Sequence, residues 1–304
     1  MGDKAATIDM QLYLLKHNEI DFAKWDNTIE NSNNGLIYAL SWYLNTVSPI
    51  WEAIVSEDYQ FVMPLTVKRK FGIKFVLQPV LCQQLGVFSD KPIDAEVINA
   101  FIRKIPYPGL EINLNENNYI KDALQLPNYI LKLNCSYSAL EENFSSNTKK
   151  NIRKAIKNKL TIDNNISVDE FLELYFLEES DYKEPHKHTI IEVVKKLYNK
   201  NAGIIIGCRS ENKELISALC MARWKKRLYY LLPVSSEKGK KYSAMFLIND
   251  YLIRENSHSD MIFDFEGSKI EGIARFIQGF GSENKPYYKK RFGPKLLTKL
   301  TSHL

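Results

Sequence analysis

The chain has 304 residues, 45% of them hydrophobic and 25% charged, with a formal net charge of +5. That length suits two domains of roughly 150 residues each, and no window reaches the ~18 continuous apolar residues of a membrane span, so no membrane-spanning helix is expected. The mild positive charge permits an anionic ligand without demanding nucleic acid. Cys82, Cys135, Cys208 and Cys220 are scattered and read as reduced, buried thiols. His186 and His188 have no cysteine or third histidine at ligand spacing, so no metal site is expected. Met1 to Met10 is polar and carries no apolar signal region, which makes the cytoplasm the expected compartment.

In chain order, Asp21 to Asn31 and Leu36 to Thr46 have helical spacing. Ile50 to Val55, Gln60 to Val67 and Lys74 to Leu77 then read as a β-meander. Ile93 to Ile105 is a predicted helix that stops at Pro106, and Leu110 to Leu114 and Tyr129 to Leu133 are predicted strands.

The polar cluster Ser145, Ser146, Asn147 and Thr148 caps a predicted helix running through Leu160. On a helical wheel Lys149, Lys150, Arg153, Lys154 and Lys157 share one arc, with Ile152, Ala155, Ile156 and Leu160 opposite them. Helices are predicted at Val168 to Leu177 and Thr189 to Tyr198. Strands follow at Gly203 to Cys208, Leu215 to Arg223 and Arg227 to Leu232. The loop Ser235 to Tyr242 leads into a helix marked by Ala244, Leu247, Ile248, Tyr251 and Leu252. A strand at Met261 to Phe265, a helix at Ile270 to Gly279 and a short strand at Tyr287 to Phe292 complete the order.

Ser56 to Pro79 and Ser210 to Pro233 repeat each other without a gap at an offset of 154 residues. Ser, Glu, Leu, Arg, Leu and Pro recur at 56/210, 57/211, 65/219, 69/223, 77/231 and 79/233. Hairpins resemble one another through shared turn chemistry, but two related half-molecules are the simpler explanation.

Two helices, an antiparallel meander, a helix, a strand, a helix and a strand: this order resembles the GNAT acyltransferase fold. The run Asn147 to Ala155 followed by Leu160 is similar to the basic helix that opens the second domain in the Fem-type branch. Phe263, Asp264, Phe265, Glu266, Gly267 and Ser268, with Phe276, Phe280 and Gly281 behind them, resemble that branch's C-terminal signature. Ile277 stands where the signature usually has lysine. The resemblance implies an α/β fold with mixed sheets built from tandem GNAT-like domains. These would be residues 1–138, lacking a donor site, and 139–304, carrying the donor wedge.

It also implies transfer of an acyl group from an acyl-CoA-type thioester to a small-molecule or peptide amine bound between the domains. In the Fem enzymes proper the donor is aminoacyl-tRNA and the acceptor a peptidoglycan precursor, and a catalytically silent binding module is a third reading. The wedge would form where the strand at Arg227 parts from the strand at Met261. An extended donor arm would then meet unpaired backbone groups. Leu231, Leu232 and Val234 would line the arm. Ser236, Lys238, Gly239, Lys240 and Lys241 would hold its phosphates, although only Gly239 matches the usual GNAT phosphate loop. Glu266, then Asp264, are the expected general base or amine-positioning group, and the same two carboxylates also suit a salt-bridged strand end. Tyr287, Tyr288 and Tyr251 are candidate general acids. Gln83 and Gln84, which take the loop's place in the first copy, are expected to contact acceptor together with Tyr251 and Ser268. The basic face beginning at Lys149 reads either as a solvated surface or as a grip for tRNA phosphates.

Overall fold

The computed structural model describes residues 10–70, 72–178, 184–267 and 270–293. The chain forms two compact units, Met1–Leu126 with Pro286–Leu304, and Pro127–Lys285. The single boundary expected between residues 138 and 139 is therefore replaced by two crossings.

The first unit contains β1 (Leu12–Leu15), α1 (Phe22–Asn31), α2 (Ser41–Val47), β2 (Glu52–Ser56), β3 (Val62–Leu65), β4 (Val67–Lys70), β5 (Ile73–Leu77), α3 (Ala95–Lys104), β6 (Leu110–Leu114) and β7 (Leu124–Leu126). α1 starts where the Asp21 carboxylate accepts from the backbone N–H groups of Ala23 and Lys24, and it buries Trp25 and Ile29, one helical turn apart. The helix expected over 36–46 breaks at Leu40, whose ψ of 139° is extended, so a 3-10 turn precedes a shorter α2. The strand expected over 60–67 divides at Thr66, giving β3 to one sheet and β4 to another.

The second unit contains β8 (Tyr129–Lys132), α4 (Tyr137–Glu142), α5 (Ser146–Lys157), β9 (Thr161–Asp163), α6 (Val168–Leu177), α7 (Lys187–Asn199), β10 (Gly203–Arg209), β11 (Leu215–Trp224), β12 (Arg227–Ser235), α8 (Glu237–Tyr242), α9 (Ala244–Glu255), β13 (Ile262–Asp264), α10 (Glu271–Gln278) and β14 (Glu283–Asn284). The segment expected to be a loop before α9 thus contains a helix of its own, capped by Ser236. β15 (Tyr287–Phe292) returns to the first unit. Among the described residues no helix is long and apolar enough to cross a membrane.

The sheet orders are β1-β2-β3 and β4-β5-β6-β15-β7 in the first unit, and β14-β8-β13-β12-β11-β10-β9 in the second. In each unit a meander is followed by a strand that joins it in parallel, β6 beside β5 and β13 beside β12. That parallel strand then takes an antiparallel partner. β15 serves β6, and β8 serves β13. The duplication is therefore visible in three dimensions, with one exchange: the strand following β7 completes the second sheet, and the strand following β14 completes the first. Ion pairs tie the exchanged β15 to β6, with Lys289 Nζ 2.8 Å and Arg291 Nε 3.5 Å from the buried Glu111 carboxylate.

In the first unit, β5 and β6 stop pairing after the Gln78 N–H donates to Glu111 O at 2.9 Å. Residues 85–88 then enter. Leu85 N–H donates to Asn113 O at 2.7 Å, Asn115 N–H donates back to Leu85 O at 2.8 Å, and Phe88 exchanges both backbone hydrogen bonds with Val62 of β3.

Candidate active site

In the second unit, β12 and β13 run in parallel only from Arg227↔Ile262 to Tyr229↔Asp264. β12 continues to Ser235 against β11. β13 instead stays with β8, since Phe265 N–H donates to Tyr129 O at 2.9 Å and Tyr129 N–H to Glu266 O at 3.0 Å. Two zipped pairs therefore diverge from one point. At that point the β11–β12 register slips: Met221 faces Tyr230 and Cys220 faces Leu232, which leaves Leu231 as a bulge with no opposite residue. Further along, Ser236 N–H donates to Ile216 O. The even-numbered residues there thus turn their amides toward β11, and Pro233 turns its missing donor toward the open side, where no ladder bond is lost.

A cleft of about 410 Å³ occupies the divergence. β12 contributes Tyr230, Pro233, Val234 and Ser235, α8 and α9 contribute Gly239, Lys240, Met245 and Phe246, and α10 contributes Ile273, Phe276 and Ile277. The walls are mainly apolar. Phe246 and Phe276 meet edge to face at 4.7 Å, and both contact Phe280, so the aromatic side of the cleft is continuous with the core. Most polar side chains at the rim are engaged. Ser243 Oγ donates to Asn151 Oδ1 at 2.7 Å, Ser235 Oγ lies 2.7 Å from Ser217 Oγ, and Lys240 Nζ donates to Glu237 at 2.8 Å.

The chain is similar over nearly its whole length to several solved structures. FemX aligns over 96% of this chain and 100% of its own, with a TM-score of 0.65 and 13% identity. L-PGS from Bacillus licheniformis aligns over 92% of this chain and 93% of its own, with a TM-score of 0.56 and 11% identity. A tandem GNAT protein from the clavulanic acid biosynthesis pathway aligns over 94% and 100%, with a TM-score of 0.51 and 10% identity. The fold is the Fem-like one, two fused GNAT units. No protein-family model and no curated protein matches the chain.

Within this Fem-like fold the expected donor residues separate. Val234, Gly239 and Lys240 line the cleft, and Leu231 forms the bulge at its apex. Leu232 is buried in the core instead. The expected phosphate cradle is largely satisfied from within. Ser236 Oγ accepts from Gly239 N–H at 3.1 Å, and Lys238 pairs with Glu214 at 2.5 Å. Lys241 lies over the Tyr242 ring. Gly239 owes its place to packing, because a Cβ there would sit 2.1 Å from Ile216 O.

The expected catalytic residues also divide. Asp264, its side chain 2% exposed, holds Arg227 at 3.0 Å and accepts from the Glu266 N–H at 2.9 Å, the salt-bridged alternative of the sequence reading. Glu266 follows the strand rather than extending it, in a left-handed conformation with φ of 59°, so it does not share a strand face with Asp264. Non-glycine residues adopt that region only when their surroundings fix them. Here both backbone groups of Glu266 are tied, one to Asp264 and one to Tyr129.

Tyr287 and Tyr288 lie on β15 and Gln83 and Gln84 on the loop after β5, all in the first unit. Gln84 is buried and spans Gln83 and the Glu116 N–H. Tyr251 receives a hydrogen bond from Asn164 at 2.6 Å and does not line the cleft. Ser268 lies outside the described residues. On α5, Ile152 and Ala155 are buried as expected, while Ile156 is exposed on the basic side. Lys150, Arg153, Lys154 and Lys157 are exposed there as well. Among the described residues no cluster of three His, Cys, Asp or Glu side chains is arranged to hold a metal ion.

Among the residues at or behind the site that the sequence missed are Glu178, Tyr230 and Asn249. Glu178, at the end of α6, lines the cleft, as does Tyr230. Asn249 on α9 is fully buried beside Tyr230. Its signal was the polar pair Asn249 and Asp250, both buried, inside a mainly apolar helical run.

Proposed function

We propose that the second unit transfers an acyl group from a thioester carrier to an amine. The observation that carries this reading is the parting of β12 from β13 at Tyr229↔Asp264 with an apolar cleft open at that point. An extended carrier arm laid along the free edge of β12 would complete the sheet there. The unopposed backbone of Leu231 is suited to polarising the carbonyl under attack. The amine's lone pair would attack that carbonyl carbon, forming the C–N bond as the C–S bond breaks and the electron pair leaves on sulfur. The ammonium formed would lose its proton to a nearby carboxylate. Glu266, held just beyond the apex, is proposed to orient the amine and take that proton, with Asp264 as the positioning residue that fixes the Glu266 backbone. The acceptor is proposed to be a small molecule or peptide, and the cytoplasm the compartment.

A second carrier, aminoacyl-tRNA, is favoured by one observation. α5 exposes Lys150, Arg153, Lys154 and Lys157 on one face, a row suited to phosphates. The self-satisfied loop at Ser236 to Lys241 suits that carrier better than it suits the diphosphate of coenzyme A. Thermal shift with acyl-CoA compounds and with charged tRNA separates the two, since a ligand specific for the folded state raises the melting temperature. Glu266→Gln should lower turnover by about 10²-fold or more without removing that shift. A chain that no carrier stabilises would end the transferase reading.

A further inference from the structure

Behind the cleft wall, on α9, Asn249 stands apart. It is 0% exposed, and neither its amide nitrogen nor its carbonyl oxygen has a hydrogen-bond partner. The neighbouring polar group is the Tyr230 phenol, which lies beside it without a well-formed hydrogen bond to it. Burying an amide with both ends unpaired is unfavourable, and a leucine of similar volume would fill the same space in a core that includes Ile248, Leu252 and Phe263. Tyr230 is the first residue of β12 beyond the last pair with β13, and it lines the cleft. Its ring packs against the Phe263 and Phe265 pair, with centroids at 6.2 and 5.9 Å. Burial raises the pKa of its hydroxyl, which therefore stays protonated and can both donate and accept. The apex of the cleft thus couples apolar walls to one phenol and one amide with free hydrogen-bonding capacity behind it.

We propose that Tyr230 and Asn249 form a polar subsite at the apex of the cleft that selects acyl groups bearing a hydroxyl or amino substituent over plain alkyl chains. This rests on the carrier reading given above, in which the carbonyl sits at the same apex. The substituent would bond to the Tyr230 hydroxyl and draw it toward Asn249, satisfying both. A site built around a hydrogen bond discriminates strongly against the analogue lacking it, because its own polar groups are then left unpaired.

The test compares S-(3-hydroxybutyryl)pantetheine with S-butyrylpantetheine, binding measured by calorimetry on the full chain, alongside the melting temperature of the free protein. The wild type should bind the hydroxylated thioester at least about tenfold more tightly, a conservative fraction of what such sites achieve. Asn249→Leu should erase that preference while raising the melting temperature of the free protein by roughly 2–4 °C. Tyr230→Phe should also erase it, with Asn249→Gln restoring part. Equal binding of the two thioesters by the wild type overturns the subsite and leaves the carrier reading standing. So does an Asn249→Leu protein that keeps the preference, as it would if Asn249 only held a buried water. Failure of the wild type to bind either thioester overturns the thioester carrier and the subsite with it.

Discussion

Replacing Gly239 with alanine should destabilise the second unit, against the ordinary rule for a helical glycine. Helix propensity alone favours alanine by roughly 0.8–1.0 kcal/mol. The new Cβ, however, would lie 2.1 Å from Ile216 O and 3.0 Å from its carbon. Both are backbone atoms of β11, and the same oxygen already accepts from Ser236 N–H at 3.0 Å and Ser236 Oγ at 3.1 Å. No side-chain rotation can relieve the overlap, so α8 must lift from the sheet. Overpacking of that kind costs about 1–3 kcal/mol, and the Ser236 cap, strained by the same movement, is worth about 1 kcal/mol. The balance is a net loss of about 1–3 kcal/mol, and at roughly 2–4 °C per kcal/mol the melting temperature should fall by about 2–12 °C. Gly272→Ala is the internal control, since nothing lies within 4 Å of its Cβ position on α10, and it should stabilise by roughly 0.5–1 kcal/mol. Differential scanning calorimetry of both variants reads the contrast directly. A neutral or stabilising Gly239→Ala would refute the packing account and return Gly239 to the role of a glycine kept for phosphate approach.

Arg227→Met should cost about 3–5 kcal/mol by taking the guanidinium away from the buried Asp264 carboxylate, and adding Asp264→Asn should recover a large part; equal stabilities of the single and double variants in urea titrations would contradict this. In the first unit, Glu52 is buried among Lys74, Tyr107 and Lys16. Burial alone would raise its pKa, but the hydrogen bonds from those three outweigh it and hold the carboxyl below its ordinary 4.5. A depressed acid contributes stability above its unfolded pKa and loses it as pH falls through the folded value, so the stability gap between wild type and Glu52→Gln should be constant at neutral pH and shrink below pH 4.5. A gap that grows in acid would show the sign to be wrong. Ending the chain after Lys285 removes β15 from between β6 and β7, and amide exchange should then accelerate in β6 and β7 while β10 to β12 stay protected; retained protection in β6 would rule out the strand exchange.

Much of the fold could be read from local pattern, because most elements carry their own caps and faces. Asp21, Asp94, Ser145 and Ser167 each cap the helix that follows them. The repeat located both meanders, and the family resemblance located the wedge between β12 and β13. Partner choice was another matter. Tyr129 to Lys132 and Tyr287 to Phe292 read correctly as strands, yet nothing in a strand's alternation says which sheet it joins, so the two crossings between units were invisible and the boundary fell at the wrong residues. The same blindness grouped Tyr287 with Glu266. Glu266 itself was misread as part of the strand end because β13 stops at Asp264, two residues earlier, where the Asp264 carboxylate accepts from the Glu266 N–H. Lysines at 238 and 240 looked like free cations, and only the fold reveals Glu214 and Glu237 beside them.

The duplicated wedge has two outcomes in one chain, and the contrast bears on which unit handles a carrier. A strand that parts from its neighbour leaves a row of backbone donors and acceptors that need partners. In the first unit the chain supplies them itself: Leu85 pairs with β6 and Phe88 with β3. Side chains lock that insertion. Asn118 Oδ1 accepts from Val87 N–H at 2.6 Å, and Asn115 Nδ2 donates to Leu85 O at 3.0 Å. Gly86, with φ of 107°, runs so close to Asn118 that a Cβ would meet its Oδ1 at 2.2 Å, so only glycine fits both the conformation and the space. In the second unit the chain leaves β12 in a different way. Ser236 N–H bonds back to Ile216 O and starts α8, and no segment of the described residues returns to the open edge. One copy is completed from within, while the other keeps an edge and an apolar cleft that an extended arm from another molecule can complete. The proposed donor site is therefore placed in the second unit alone, because the edge that would receive an arm in the first is already occupied by its own chain.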